Sequence, residues 1–307
     1  MGHTNMRTTY GETLVELGNT NENIVVLDAD LGGSTMGKLF EQAYPERHIE
    51  CGIAEQNMLS VSAGLSVAGK IPFAGSFAVF AAGRAFDQIR QTICIGKLNV
   101  KVCGSSCGCS DFGDGATHQS VEDVAIMRAI PNMTVLVPAD ANEMVKVVKA
   151  AAEYEGPVYI RCGRNEYENT TAEDAPFEIG KPSVLKEGTD VCVFAMGYMN
   201  NLALEAAKQL EGKVSVKVVN VSTVKPMCPE YIQKLAAGCK SIVTVEEHNI
   251  VGGLGSAIAE AMCSNPLPMK MVGIHDKFGT SAHAWDDVLN YMGLTVDAVK
   301  AAIEEMA

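Results

Sequence analysis

The stretch His48-Ile49-Glu50-Cys51-Gly52-Ile53-Ala54-Glu55-Gln56-Asn57-Met58 decides the fold. His48–Cys51 reads as a short strand. A glycine ends it, and a helical stretch, Glu55–Val67, follows almost at once. A strand feeding directly into a helix is the repeating unit of a parallel sheet covered by helices. The same texture extends in both directions. Upstream lie a helical stretch, Thr8–Leu17, and a strand, Ile24–Asp28. Downstream, strands at Ile71–Gly75, Asn99–Gly104, Thr134–Val137 and Pro157–Arg161 alternate with helices at Gly83–Ile95, Ser120–Ala129 and Asn142–Glu153. In the last helix Met144, Val147, Val148 and Ala151 recur at three and four residues, as a core-facing helix requires.

From Asn165 to Gly188 the periodicity gives way to Asn, Thr, Glu, Asp and two prolines. That composition marks a linker, placed at residues 169–186, between a first domain at 1–168 and a second at 187–307. The second domain starts a new series. Its strands are Val191–Ala195, Val214–Val221, Ser241–Val245 and Met269–Val272, and its helices fall near Asn201–Leu210, Pro229–Ala237, Gly255–Met262 and Val296–Glu305. The expected fold class is α/β, with two doubly wound, mostly parallel sheets.

Composition narrows the function classes. The 307 residues are 47% hydrophobic and 20% charged, ordinary for a packed globular chain. A formal charge of −13 disfavours a nucleic-acid partner, although a small cationic pocket remains compatible with it. The longest apolar runs, such as Val191–Met196, fall far short of a membrane span. Met1–Arg7 has no apolar core of a signal peptide, so a cytoplasmic protein is expected. The ten cysteines form no CxxC pair and have no histidine at zinc spacing, so reduced thiols and no bound metal are expected.

Ligands of open parallel sheets bind beyond the carboxyl ends of the strands. That rule selects Asp30, Leu31 and Ser34 after the first strand, Ile53 and Glu55 after the second, and Phe77 and Phe80 after the third. It also selects Ser106, Asp114 and His118 after the fourth, and Arg164 after Pro157–Arg161. Each has a plain alternative. Asp30 suits a turn, and Glu55 suits a first helical turn favoured by the helix dipole. Phe77 and Phe80 suit a core, Gly113-Asp114-Gly115 a flexible loop, His118 a helix start and Arg164 a solvated surface. Their convergence on one rim favours the functional reading.

Several segments resemble the transketolase family: Ile49–Met58, Ser76-Phe77-Ala78, Arg84–Arg90, Cys103-Gly104-Ser105, Gly113–Gln119, Val245–His248 and Gly252–Ser256. The resemblance spans essentially the whole chain, yet covers only the C-terminal half of a standard transketolase. It implies a pyrimidine-binding domain followed by a transketolase C-terminal domain, with thiamine diphosphate as cofactor. Glu55 is then the catalytic acid that hydrogen-bonds the ring nitrogen N1′ and so switches on proton removal from thiazolium C2. A carboxyl group shielded from water holds its proton more tightly, which suits that task. Phe77 and Phe80 resemble the wall that stacks the aminopyrimidine, and Asp30, Leu31 and Ile53 line the same cleft. Asp114 resembles the residue that bonds the substrate C2 hydroxyl, and His118 stands beside it. Arg7, Ser34 and Arg164 match the anchor for the acceptor phosphate, where an arginine fork can pair two oxygens.

One departure stands out. Ser106 replaces the usual histidine, and Cys109, Asp111 and Phe112 alter the same loop. A donor to the substrate's anionic end is lost and an acid is gained. This points to an anionic end of lower charge, such as a sulfonate, or one placed differently, as on a branched sugar. The half that grips the diphosphate through Mg²⁺ or Ca²⁺ is absent from these residues, so the resemblance implies a split transketolase. It calls for an N-terminal partner subunit, a heterotetramer and a homodimer contact through the pyrimidine-binding domain. The alternatives are the β subunit of a thiamine-dependent 2-oxoacid dehydrogenase, half of a deoxyxylulose-phosphate synthase, or a non-catalytic scaffold. Glu246, Glu247 and His248 read as structural, and the second domain as supplying interface and stability more than chemistry.

Overall fold

A computed structural model of the chain describes residues 5–307. The first four residues, part of the stretch read for a signal peptide, lie outside the described residues. Helix α1 (Met6–Thr20) starts at Asn5, whose side-chain oxygen accepts from the Arg7 and Thr8 amides and caps the helix. There follow β1 (Ile24–Asp28), the short helices α2 (Gly32–Thr35) and α3 (Gly37–Ala43), β2 (His48–Glu50), α4 (Glu55–Val67), β3 (Ile71–Phe77) and β4 (Lys101–Ser105). Then come α5 (Asp123–Ala129), β5 (Thr134–Leu136), α6 (Ala141–Glu153) and β6 (Val158–Cys162). The second series is β7 (Ser183–Lys186), β8 (Val191–Ala195), α7 (Met199–Gln209), β9 (Val216–Asn220), β10 (Thr223–Lys225) and α8 (Pro229–Ala236). It closes with β11 (Ser241–Asn249), α9 (Leu254–Met262), β12 (Met269–Ile274), α10 (Trp285–Met292) and α11 (Val296–Met306).

Two mostly parallel sheets result, so the fold is α/β. The first runs β10-β5-β6-β4-β3-β1-β2, and the second runs β12-β11-β8-β9-β7. Among the described residues only the strands β10 and β7 pair antiparallel within these sheets. The sequence expectation omitted α2, α3, β10 and α10, and three further details differ from it. The end of the presumed linker forms β7, an edge strand whose partly exposed residues carry no apolar run. The helix expected over Gly83–Ile95 is two wide, π-type segments, Val79–Arg84 and Gln88–Cys94; Ala81 and Ala82 of the first, and Ala85 just after it, pack into the core. β11 continues past Val245 through Glu246, Glu247 and His248, all of them buried.

On one face of the first sheet, α1 and α6 bury Leu14, Met144, Val147 and Val148. The opposite face carries Met58, Leu59, Ile89, Ile93 and Met127, and that apolar cluster runs on to Phe194, Val219, Ile232 and Leu254 of the second series. Each fully buried side chain of this size contributes about 1.5–3 kcal/mol. A single core of this kind fixes the two sheets against each other. Polar contacts reinforce the junction. Glu143 on α6 accepts from Asn220 Nδ2 and Ser222 Oγ at 3.0 and 2.6 Å. Asp140, the N-cap of α6, accepts from the Thr170 and Thr171 amides at 2.7 Å each and so ties down the connecting segment.

Candidate active site

The register of the first sheet builds the rim. Phe77 pairs with Ser105, and Ser105 with Cys162, so β3, β4 and β6 end in one row. Asp28 pairs with both Glu50 and Gly75, which brings the ends of β1 and β2 to the same edge. Glu50 then joins two loops, because its Oε1 accepts from the Asp30 amide at 2.8 Å and the Gly52 amide at 2.7 Å. Asp30 stands at φ +60 and is exposed, Leu31 is half-buried, and Ile53 is 75% exposed.

Glu55 opens α4 and is 1% exposed. Its two carboxylate oxygens accept from Arg84 Nη1 at 3.0 and 2.8 Å. The same guanidinium lies over the Phe80 ring, 4.5 Å from its centroid. Phe80 stacks on Phe77 at 6.1 Å with 18° between planes. The His118 ring meets Phe77 and Phe80 edge-on at 6.1 and 5.4 Å. An acid sheltered from water, two stacked rings and an imidazole therefore form one continuous surface. The wide turn over Val79–Arg84 is what brings Arg84 round to Glu55.

The loop after β4 carries the polar residues. Ser106 is buried at φ +52, and its hydroxyl has no partner among the described residues. Asp114 is exposed. Arg164 Nη1 donates to Asp111 Oδ2 at 2.8 Å, and Arg7 Nη1 donates to the Ser34 carbonyl at 2.9 Å. Burial holds the Asp111 carboxyl above its ordinary range, while Arg164 pulls it down and Asp114 pushes it up. Burial lowers the Arg7 guanidinium, and Arg164 acts in the same direction, as close cations do.

Three pairings carried no sequence signal, although the residues themselves lie in segments already singled out. Glu50 on the Asp30 amide, Arg84 on Glu55 and Arg164 on Asp111 join groups far apart in the chain. Arg84 lies 29 residues from Glu55, a separation that matches no helical or strand period. Behind the rim lies a buried ionic cluster. Arg161 Nε donates to Asp123 Oδ2 at 2.9 Å, Tyr159 donates to the same oxygen at 2.9 Å, and Arg161 reaches the Glu247 carbonyl at 3.0 Å. Burial pushes the Glu246 and Glu247 carboxyls up to about 7 and the His248 imidazole down to about 4. Among the described residues no group of three or more His, Cys, Asp or Glu side chains is arranged to hold a metal ion, and the ten cysteines are free thiols.

Comparison with known proteins bears on this surface directly. Residues 3–170 match the transketolase pyrimidine binding domain, and residues 180–299 match the transketolase C-terminal domain. The chain belongs to the transketolase family. It is 47% identical to a putative transketolase C-terminal section from Methanocaldococcus jannaschii, with 98% of this chain and 96% of the relative covered. It is 41% identical to a 6-deoxy-6-sulfo-D-fructose transketolase subunit from a Clostridium species, covering 98% of this chain and 94% of the relative. Among solved structures it superposes on a split-gene transketolase, described as an inactive β4 tetramer, with a TM-score of 0.90 and 48% identity. That alignment covers 99% of this chain and 98% of the other. In this transketolase chain Glu55, Phe77, Phe80 and His118 all fall within the pyrimidine-binding match.

Proposed function

We propose that the chain is the C-terminal subunit of a split, thiamine-diphosphate-dependent transketolase that moves a two-carbon ketol unit from a ketose to an aldose. One observation carries the reading: a buried carboxylate, Glu55, abuts a stacked aromatic pair through Arg84. This donor set suits an aminopyrimidine, which needs a flat apolar wall and one acid at its edge. Phe77 and Phe80 would hold the ring, with Asp30, Leu31 and Ile53 along the cleft. Glu55 would hold the proton at N1′ after exchanging its bond to Arg84. The bound cofactor supplies the carbon nucleophile. Asp114 and His118 would orient the sugar. Arg7, Ser34 and Arg164 would take its anionic end, and Ser106 would offer a hydroxyl.

The diphosphate and its Mg²⁺ or Ca²⁺ are assigned to an N-terminal partner subunit, in a heterotetramer built on paired pyrimidine-binding domains. Support comes from relatives, spanned nearly end to end, that are themselves a section or a subunit. The β4 tetramer is described as inactive, which agrees with a lone chain that has only half of the centre. Substrates are sugar phosphates or a sulfonated analogue. The Arg164–Asp111 pair favours an end group of lower charge, because Asp111 already neutralises one anchor cation. The test is a coupled ketol-transfer assay on this chain with its N-terminal partner. The mixture should turn over and either chain alone should not. Glu55→Gln should lower kcat at least about a hundredfold with the assembly intact. Turnover by the purified single chain would refute the reading.

A further inference from the structure

The loop that carries Ser106, Asp114 and His118 is gripped from the second half of the chain. Gln119 is the pivot. Its Nε2 donates across the loop to the Asp111 carbonyl at 3.1 Å and out of it to the Thr280 carbonyl at 3.0 Å. The Ala282 amide donates to the Phe112 carbonyl at 2.9 Å. Glu247 Oε1 accepts from the Cys109 amide at 2.9 Å and from Trp285 Nε1 at 3.3 Å. The Asn249 amide closes the far end on the Val121 carbonyl at 2.7 Å. The fit leaves no slack. A Cβ on Gly279 would lie 1.5 Å from Gln119 Oε1, and one on Gly115 would lie 2.2 Å from Ser281 Oγ.

We infer that residues 279–282, acting through Gln119, are a positioning clamp that fixes where Asp114 and His118 stand, so that the second domain takes part in substrate selection. The inference deepens the proposed function and rests on it for the identity of the substrate. Asp114 and His118 lie between the two gripped points, Phe112 and Gln119. Of the loop's other anchors, Arg164 on Asp111 and Asn165 Nδ2 on the Ser110 carbonyl at 3.1 Å precede Asp114, while the Gly108 amide on the Ser120 carbonyl and the Asn249 amide on the Val121 carbonyl follow Gln119. Releasing Gln119 therefore frees the part that touches sugar and leaves the Glu55–Arg84–Phe80 surface in place. The expected signature is a rise in KM with a smaller change in kcat, because a loosened loop loses contacts made alike to bound substrate and to the transition state.

Two variants test this in the complex with the N-terminal partner. Gly279→Ala drives the Gln119 side chain out of its seat. Gln119→Leu removes both donated bonds at similar volume, and it strands no further bond because Gln119 Oε1 has no partner among the described residues. Hydrogen exchange of the Gly113–Gln119 amides should quicken at least fivefold in both. KM for the ketose donor should rise at least fivefold, kcat should change less than threefold, and thiamine diphosphate affinity should stay within twofold. Unchanged exchange would overturn the clamp. Faster exchange with unchanged KM would overturn its part in selection. Wild-type complex inactive on every ketose tried would instead overturn the proposed function, and the exchange data would still judge the clamp.

Discussion

Asp111→Asn probes the charge at the sugar's far end. Asp111 is buried and its carboxylate lies 2.8 Å from Arg164, whose side chain is 37% exposed. A terminal anion seated on Arg164 would sit about 6 Å from that carboxylate. One unit charge at that distance costs about 0.7 kcal/mol in water and about 3 kcal/mol at an effective dielectric of about 20. The partial exposure of Arg164 places the working value near 1–2 kcal/mol. A phosphate dianion feels that penalty once more than a sulfonate monoanion does. The asparagine keeps the shape and removes the charge. The ratio of kcat/KM for xylulose 5-phosphate over 6-deoxy-6-sulfofructose should therefore rise about 5–30-fold. The assay is a steady-state comparison of the two donors on the reconstituted enzyme, with one aldose acceptor in excess. A ratio that stays within twofold, in a variant that melts like wild type, would refute the role given to Asp111.

Arg84→Met strands the Glu55 carboxylate away from water. Breaking a buried pair costs about 3–5 kcal/mol, reduced here to about 1–2 because the Arg84 side chain is 46% exposed; an unmoved urea midpoint would contradict the pairing. Stability should also depend on pH. Glu246 and Glu247 stay protonated in the fold up to about 7, whereas the unfolded chain releases those protons near 4.5. Their contribution is thus complete below 4.5 and is lost as pH rises through 7. His248, lowered to about 4, opposes this between 4 and 6.5, where the unfolded imidazole binds a proton that the native one refuses. Net stability should fall from pH 5 to pH 8, at up to about 1.4 kcal/mol per pH unit for each carboxyl. Glu247→Gln should flatten that fall in denaturant titrations, and an identical slope would count against the buried carboxyl.

Where local sequence decides the structure, the reading from sequence matches it. β8 is an unbroken apolar run and β1 is four apolar residues followed by Asp28; both are buried throughout and occupy the expected residues. α4 starts at Glu55 because Gly52, at φ +67, turns the chain just before it. Elements set by distant contacts were not legible. α2 and α3 are only four and seven residues long, too short to show a helical period, and Gly37 packs so close to Asp28 that a Cβ would stand 2.0 Å from its carboxylate. β10 has three residues and exists because β5 offers it an edge. Glu246, Glu247 and His248 look like the end of a strand, yet their partners reach them from α5, α9, α10 and the loop after β4. At the site, the sequence order of strand ends brought Glu55, Phe77, Phe80 and His118 to one rim. It carried no trace of Arg84 closing on Glu55, or of Asp111 closing on Arg164, because neither pair shares a local period.

β10 has one more consequence. Thr223 and Lys225 finish the first sheet from the far half of the chain, alongside Leu136 and Val135. Cutting the polypeptide anywhere between the two sheets would leave β5 as a bare border, open to stacking with its own kind. A break in the chain between the two sheets would therefore part β5 from the strand that covers it.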